Sequence, residues 1–124
     1  MKIFITGIAG FLGSHLADRF IKLGHTVSGN DTLIGGYIDN VNPKATLYEV
    51  NCCDREKMLE ITKGVDIVVH AAATAHEGLS VFSPDFITKN IFKQKSRKAI
   101  QKTTVKRTCK RDSSRKRMRH ICFY

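Results

Sequence analysis

No apolar run in this sequence is long enough, and free enough of charge, to cross a bilayer. Lys2 followed by apolar residues has the outline of a secretory leader, but Gly7, Gly10 and Gly13 interrupt the run and charged residues soon follow. Among the four cysteines there is no C-x-x-C pair. Cys52 and Cys53 are neighbours and cannot easily bridge, and His120 with Cys122 lacks the two further ligands a zinc site needs. With Cys109 these make four free thiols, which argues for a reducing compartment rather than a disulfide framework. The expectation is a soluble, cytoplasmic protein with no metal site.

Acidic residues are scarce too, but only at one end. Up to Phe92 there are 8 Lys and Arg against 10 Asp and Glu, a balance of −2, and from Lys93 onward 13 against 1, a balance of +12. The net charge of +10 is therefore a property of the last quarter alone. That segment, "KQKSRKAIQKTTVKRTCKRDSSRKRMRHICFY", keeps neither helical nor strand periodicity for two turns. Val105-Lys106-Arg107 has the outline of a strand, yet Thr108 to Asp112 are not what a central strand buries. Low hydrophobicity with high net charge predicts disorder there. Aromatic residues occur in it only at Phe123 and Tyr124, so it offers no interleaved stacking platform for bases.

What is present lies ahead of Lys93, in a chain whose 124 residues allow at most one ordinary domain. Ile3–Thr6 is an unbroken apolar run, the pattern of a strand buried on both faces. Leu12, Leu16, Phe20 and Leu23 then recur at helical spacing, with Ser14, Asp18, Arg19 and Lys22 on the other face and Gly24 as a left-handed cap. Thr26–Asn30 reads as a second strand ending at Asp31, and 34–44 as a loop marked by Gly35-Gly36 and Asn42-Pro43. A third strand falls at Thr46–Val50, a helix capped by Asp54 at Arg55–Lys63, and a fourth strand at Val65–His70. Ser83 and Pro84 open a further helix whose apolar face is Phe86, Ile87 and Ile91. Strand–helix alternation of this kind predicts an α/β fold, a Rossmann-type parallel sheet with right-handed crossovers. Four strands are expected, with an exposed sheet edge after the fourth, which favours aggregation.

The glycine triplet has a physical job between a strand and a helix. The first glycine allows the tight turn, the second lets backbone approach a pyrophosphate, and the third lets helix and strand pack closely. The helix N-terminus adds free N–H groups and a partial positive charge. Asp31 lies 18 positions beyond Gly13, close to the ~20 at which a ribose-binding carboxylate is expected. A carboxylate there accepts from the ribose hydroxyls and repels a 2′-phosphate, so NAD is expected over NADP. The plainer alternative, a surface turn residue before "TLIGG", stands beside it.

"TGIAGFLGSHL" resembles the cofactor fingerprint of the extended short-chain dehydrogenase/reductase family, the NAD-dependent nucleotide-sugar epimerases and dehydratases. The family pattern T-G-x-x-G-F-x-G is matched by Thr6, Gly7, Gly10, Phe11 and Gly13. The resemblance implies that Gly7, Gly10, Phe11, Leu12 and Gly13 cradle the cofactor pyrophosphate and that Asp31 holds the ribose. Asp54, in "NCCD", is similar to the aspartate that contacts the adenine, with a simple helix cap as the alternative. "HAAATA", with Ala71, Ala72 and Ala73, resembles the strand end that lies along the cofactor, where His70 can equally be a strand-end histidine without a role. Asn90 resembles the asparagine that steadies the sheet near the active site, or is a surface helix residue.

The family's chemistry needs a tyrosine with a lysine four residues later, which tunes the phenol to act as a base while hydride passes to the nicotinamide. Here Val41 stands four beyond Tyr37 and Cys52 four beyond Tyr48, while Tyr124 is the last residue, so no Tyr-x-x-x-Lys exists and no catalytic residue is assigned. The resemblance therefore covers 1–92, an NAD-binding N-terminal part of an epimerase/dehydratase-like protein, expected to be inactive alone and not to bind the family's nucleotide-sugar substrate. The segment 93–124 breaks in mid-helix, as truncation or out-of-frame translation would. The alternative is a cofactor-binding remnant whose basic segment binds nucleic acid non-specifically through phosphate contacts. Which sugar, which carbon, and epimerase against dehydratase all stay open.

Overall fold

The computed structural model describes residues 1–73, 81–85 and 119–122. Its strands are β1 (Lys2–Thr6), β2 (Thr26–Asp31), β3 (Thr46–Glu49), β4 (Ile67–His70) and β5 (Arg119–Cys122), with helices α1 (Phe11–Lys22) and α2 (Arg55–Ile61). The sheet order is β3-β2-β1-β4-β5 and every pair is parallel. The chain steps from β1 outward through β2 to β3, then returns to the other side of β1 for β4. That reversal at β1 is the switch point at which open α/β sheets form their ligand crevice.

The two periodicities explain the layers. Along β1 successive side chains face opposite sides, and four of its five residues are buried. Ile3 and Ile5 join Ile8, Val27 and Val69 under Ala17 of α1, with Leu16, Phe20 and Ile21 packed at the margin. Phe4 points the other way, where it meets Met58 of α2 and Val65, flanked by Tyr48, Val50, Ile61 and Val68. Helices thus cover both faces, and the central strand can be apolar throughout. α1 has no acidic residue in its first turn and carries Arg19 and Lys22 in its last, the arrangement that suits the helix dipole and leaves the N-terminus open to an anion.

Most of the expected elements lie where the pattern put them, and Gly24 has φ +79, as its capping role requires. The differences are local. α2 stops at Ile61, because Thr62 turns its hydroxyl back to the Met58 carbonyl at 2.6 Å and Gly64 takes φ +77. β4 begins at Ile67 rather than Val65, since Val65 leaves the strand to fill the Phe4–Met58 cluster. The loop after β2 contains one 3₁₀ turn, Ile38–Asn40. Val81 and Phe82 are helical, Ser83 is not, and Pro84 and Asp85 are helical again, so Ser83 stands between two helical pairs rather than at a first helical turn. Phe86, Ile87, Asn90 and Ile91 lie outside the described residues, as do Thr74 and Ala75, Cys109 and the strand outline at Val105.

One difference changes the architecture. The sheet has five strands rather than four, and the fifth comes from the basic segment read as disordered. β5 pairs with β4 from Ile67↔Arg119 to His70↔Cys122. The edge of β4 expected to be bare is therefore covered. Backbone ladder bonds do not depend on side-chain periodicity, so an unpaired edge can be satisfied by a segment that no pattern marks as a strand.

Phe4 is fully buried, and its ring stacks on Tyr48 with centroids 6.4 Å apart. Phe4→Ala should cost about 3–5 kcal/mol through lost burial and the cavity left behind, read as a fall in the urea midpoint. A change below about 1 kcal/mol would mean that the second face carries little of the core.

Candidate functional site

The site forms where β1 hands over to α1. After Thr6 the chain turns at Gly7, with φ +73, a conformation open to glycine and disfavoured for other residues. Its N–H donates to the Asn30 carbonyl at 2.7 Å, and its own carbonyl accepts from Gly10 N–H at 3.1 Å. A Cβ on Gly7 would lie 2.8 Å from Ala72 Cα, and one on Gly13 only 2.0 Å from the Gly7 oxygen. Neither position has room for another atom. Gly10 is the N-cap of α1 and brings no capping side chain, and the first helical bond runs from Ser14 N–H to the Gly10 carbonyl at 3.0 Å. The N–H groups of Phe11, Leu12 and Gly13 precede that bond at the positive end of the dipole. Phe11 is 81% exposed and Leu12 44%, while Gly13 is buried.

Asp31 ends β2 beside this turn. Its Oδ2 accepts from Ala9 N–H at 3.0 Å, and its Oδ1 accepts from Leu33 N–H at 3.0 Å. The carboxylate therefore touches the glycine turn itself, and the turn-residue alternative is also true, since the bond to Leu33 closes an Asx turn. Two oxygens with about four lone-pair sites retain room for further donors. The Ala9 carbonyl accepts from Tyr37 N–H at 3.2 Å and from Asn40 Nδ2 at 3.1 Å, so the loop after β2 is folded against the turn.

Across the switch point, Ala71, Ala72 and Ala73 leave the end of β4, with Ala72 against Gly7. Thr6 holds the two sides together, a role that its place in the motif did not disclose. Its Oγ1 accepts from Ala71 N–H and Ala72 N–H, each at 3.2 Å, and lies 2.7 Å from His70 Nδ1. With both lone pairs used, the hydroxyl proton is left to donate to Nδ1, which puts the proton of a neutral imidazole on Nε2. His70 thus has a role in holding the strand ends.

Asp54 heads α2 in the loop beyond β3, where Oδ1 accepts from Lys57 N–H at 3.2 Å, the expected cap, and Oδ2 lies 3.6 Å from Lys57 Nζ in an exposed pair. The glycine turn, Asp31 and Ala72 are joined directly by these contacts, whereas Asp54 stands one strand further out. Among the described residues no cluster of His, Cys, Asp and Glu could hold a metal ion, and no helix is long and apolar enough to cross a membrane.

A glycine turn at a helix N-terminus, a carboxylate at the end of the next strand and a switch point between them are the parts from which Rossmann-type folds build a dinucleotide site. A model of the NAD dependent epimerase/dehydratase family matches residues 3–108, and the chain belongs to that family. The match runs past the composition break at Phe92. UDP-glucose 4-epimerase of Streptococcus mutans is 39% identical over 77 residues, which cover 59% of this chain and 23% of that protein. Protein CapI of Staphylococcus aureus is 34% identical over 103 residues, 73% of this chain and 31% of that one. Among solved structures, UDP-glucose 4-epimerase of Thermotoga maritima with UDP-glucose has a TM-score of 0.68 at 38% identity, over 73% of this chain and 30% of its own. The Thermus thermophilus UDP-glucose 4-epimerase in complex with NAD has a TM-score of 0.64 at 30% identity, over 70% and 29%. This chain spans less than a third of the length of these relatives.

Thr6→Val keeps the shape of the side chain and removes the oxygen that two N–H groups and an imidazole share. The expected loss is about 1–3 kcal/mol. Hydrogen exchange should show the Ala72 amide opening at least ~10-fold faster, since 1.4 kcal/mol is a factor of ten in an opening equilibrium, while Ala71 keeps its bond to the Thr6 carbonyl at 3.2 Å. Unchanged protection at Ala72 would remove the clamp role.

Proposed function

We propose that this chain is an NAD-binding N-terminal part of a nucleotide-sugar epimerase or dehydratase, able to hold the cofactor and unable to complete the reaction alone. The observation that carries the reading is the bond from Ala9 N–H to Asp31 Oδ2 at 3.0 Å. It joins the glycine turn and the carboxylate at the end of β2 as one unit, which supports one ligand meeting both. Family membership supports it, as do relatives solved in complex with NAD.

In this reading the N–H groups of Phe11, Leu12 and Gly13 receive the pyrophosphate, and Gly7 and Gly10 keep side chains out of its way. Asp31 accepts from the ribose hydroxyls with the lone pairs its two backbone bonds leave free. Ala71, Ala72 and Ala73 let the other half of the dinucleotide lie close along the end of β4, and Asp54 is the acceptor nearest the base. When bound, NAD supplies a reversible hydride acceptor for a carbon of a nucleotide-diphosphate sugar. The base for that step is a tyrosine paired with a lysine four residues on, which this sequence does not contain.

The test is calorimetric titration of the purified chain. NAD should bind, and NADP at least ~10-fold more weakly because a 2′-phosphate meets the Asp31 carboxylate. Gly13→Ala should weaken NAD by at least ~10-fold, since its Cβ displaces the turn. Equal affinity for NAD and NADP, or a folded Gly13→Ala that binds unchanged, would overturn the reading. Turnover of UDP-glucose by the chain alone would overturn its incompleteness.

The 13 cations from Lys93 onward support a second, separable reading, non-specific phosphate contact with nucleic acid. Affinity should then fall steeply with salt, and a scrambled segment behaving identically would show that charge alone is responsible.

A further inference from the structure

Asn30 is the last residue of β2 before Asp31, and it is 1% exposed. Its backbone carbonyl accepts from Gly7 N–H at 2.7 Å and from Ile8 N–H at 3.3 Å. Its side-chain Nδ2 donates to the Val50 carbonyl at 2.8 Å and to Cys52 Sγ at 3.2 Å. The two acceptors fix the amide's orientation, and they leave Oδ1 buried without a hydrogen-bond partner. One residue is thus bonded through its backbone to the glycine turn and through its side chain to the loop that follows β3.

The strand order says what that loop faces. With the pyrophosphate at the end of β1 and the ribose at Asp31 on β2, the base continues in the same direction, toward the end of β3. The residues met there are the ones that Asn30 holds, Val50 and Cys52, with Cys53 and Asp54 directly after them. We propose that Asn30 is a positioning residue for base recognition: its amide sets the distance between the phosphate turn and the loop that reads the base. The inference rests on the dinucleotide reading of the site.

A purely structural role fits this residue poorly. An aliphatic side chain would pack in the same space without a buried, unpartnered Oδ1, which is the usual solution in a buried strand, but it would release the Val50 carbonyl. What only an amide offers here is two donors that hold a carbonyl of the neighbouring loop and a thiol together. Cys52 is itself buried, and its sulfur is one end of the tie.

The experiment compares the full chain with Asn30→Leu, titrating NAD and its hypoxanthine analogue, in which a carbonyl replaces the adenine amine. The unaltered chain should prefer NAD by about tenfold, the worth of one hydrogen bond. Asn30→Leu should reduce that preference to within about twofold, because the loop is released. Cys52→Ala, which removes one of the two acceptors and leaves Asn30 in place, should bring it to an intermediate ratio, and it carries the test if Asn30→Leu does not fold. Equal loss of both dinucleotides with the ratio kept would overturn the proposal, leaving Asn30 a fold residue. So would an unaltered chain that binds both equally. An unaltered chain that binds neither overturns the dinucleotide reading itself, and this inference with it.

Discussion

The structure depends on a place where four elements meet without room for a side chain. At Gly7 the end of β1 donates to β2, accepts from the start of α1 and lies against Ala72 beyond β4. Gly13 presses on the same carbonyl from the first turn of the helix. A left-handed φ costs a non-glycine residue about 1–2 kcal/mol, but the larger cost is steric, since an atom placed there must push a strand or the helix away. Close approach of the four elements and exposure of helix N–H groups to a ligand are therefore one requirement. A helix start set further from the strand would relieve the crowding and lose the concave, positively polarised end.

Much of this was legible. An apolar run, a glycine triplet and an amphipathic run each follow from period and conformational freedom, and they predict β1, the turn and α1 within a residue or two. The turn role read for Asp31 is seen in its bond to Leu33, while its bond to Ala9 in the glycine turn was not legible from spacing. Thr6 and Asn30 were not legible as a pair of ties. Their partners are fixed by the register of parallel strands, in which Thr6 lies opposite both Asn30 and His70. Periodicity tells which face a residue takes, but not which residue of a distant strand stands beside it. A polar residue inside a strand otherwise destined for burial was the available signal at Asn30. β5 was illegible for another reason, because main-chain pairing along an open edge leaves no alternating pattern to read.

The loop after β2 shows how the site is held ready. Leu33 sits at φ 58, unusual for a residue with a branched side chain, and its N–H is taken by Asp31 Oδ1. Ala9, in the glycine turn, supplies the donor to Asp31 Oδ2 and the acceptor for Tyr37 and Asn40. The carboxylate thus orders the loop and the turn within the protein's own bonds. An acceptor held in this way is fixed before any partner arrives, which lowers the ordering cost of a further hydrogen bond to it.

These ties also explain how a chain spanning less than a third of its relatives can hold the glycine turn in shape. Among the described residues, the bonds that shape it run between Thr6 and Ala72. The crossovers β1–α1–β2 and β3–α2–β4 bring those residues together, and β5 lies beside β4 as a further strand. Binding and chemistry are separable in such a fold because they are built on different stretches of chain. The glycine turn needs only the strands flanking the switch point, since its bonds run to Asn30 on β2 and its nearest neighbour beyond β4 is Ala72.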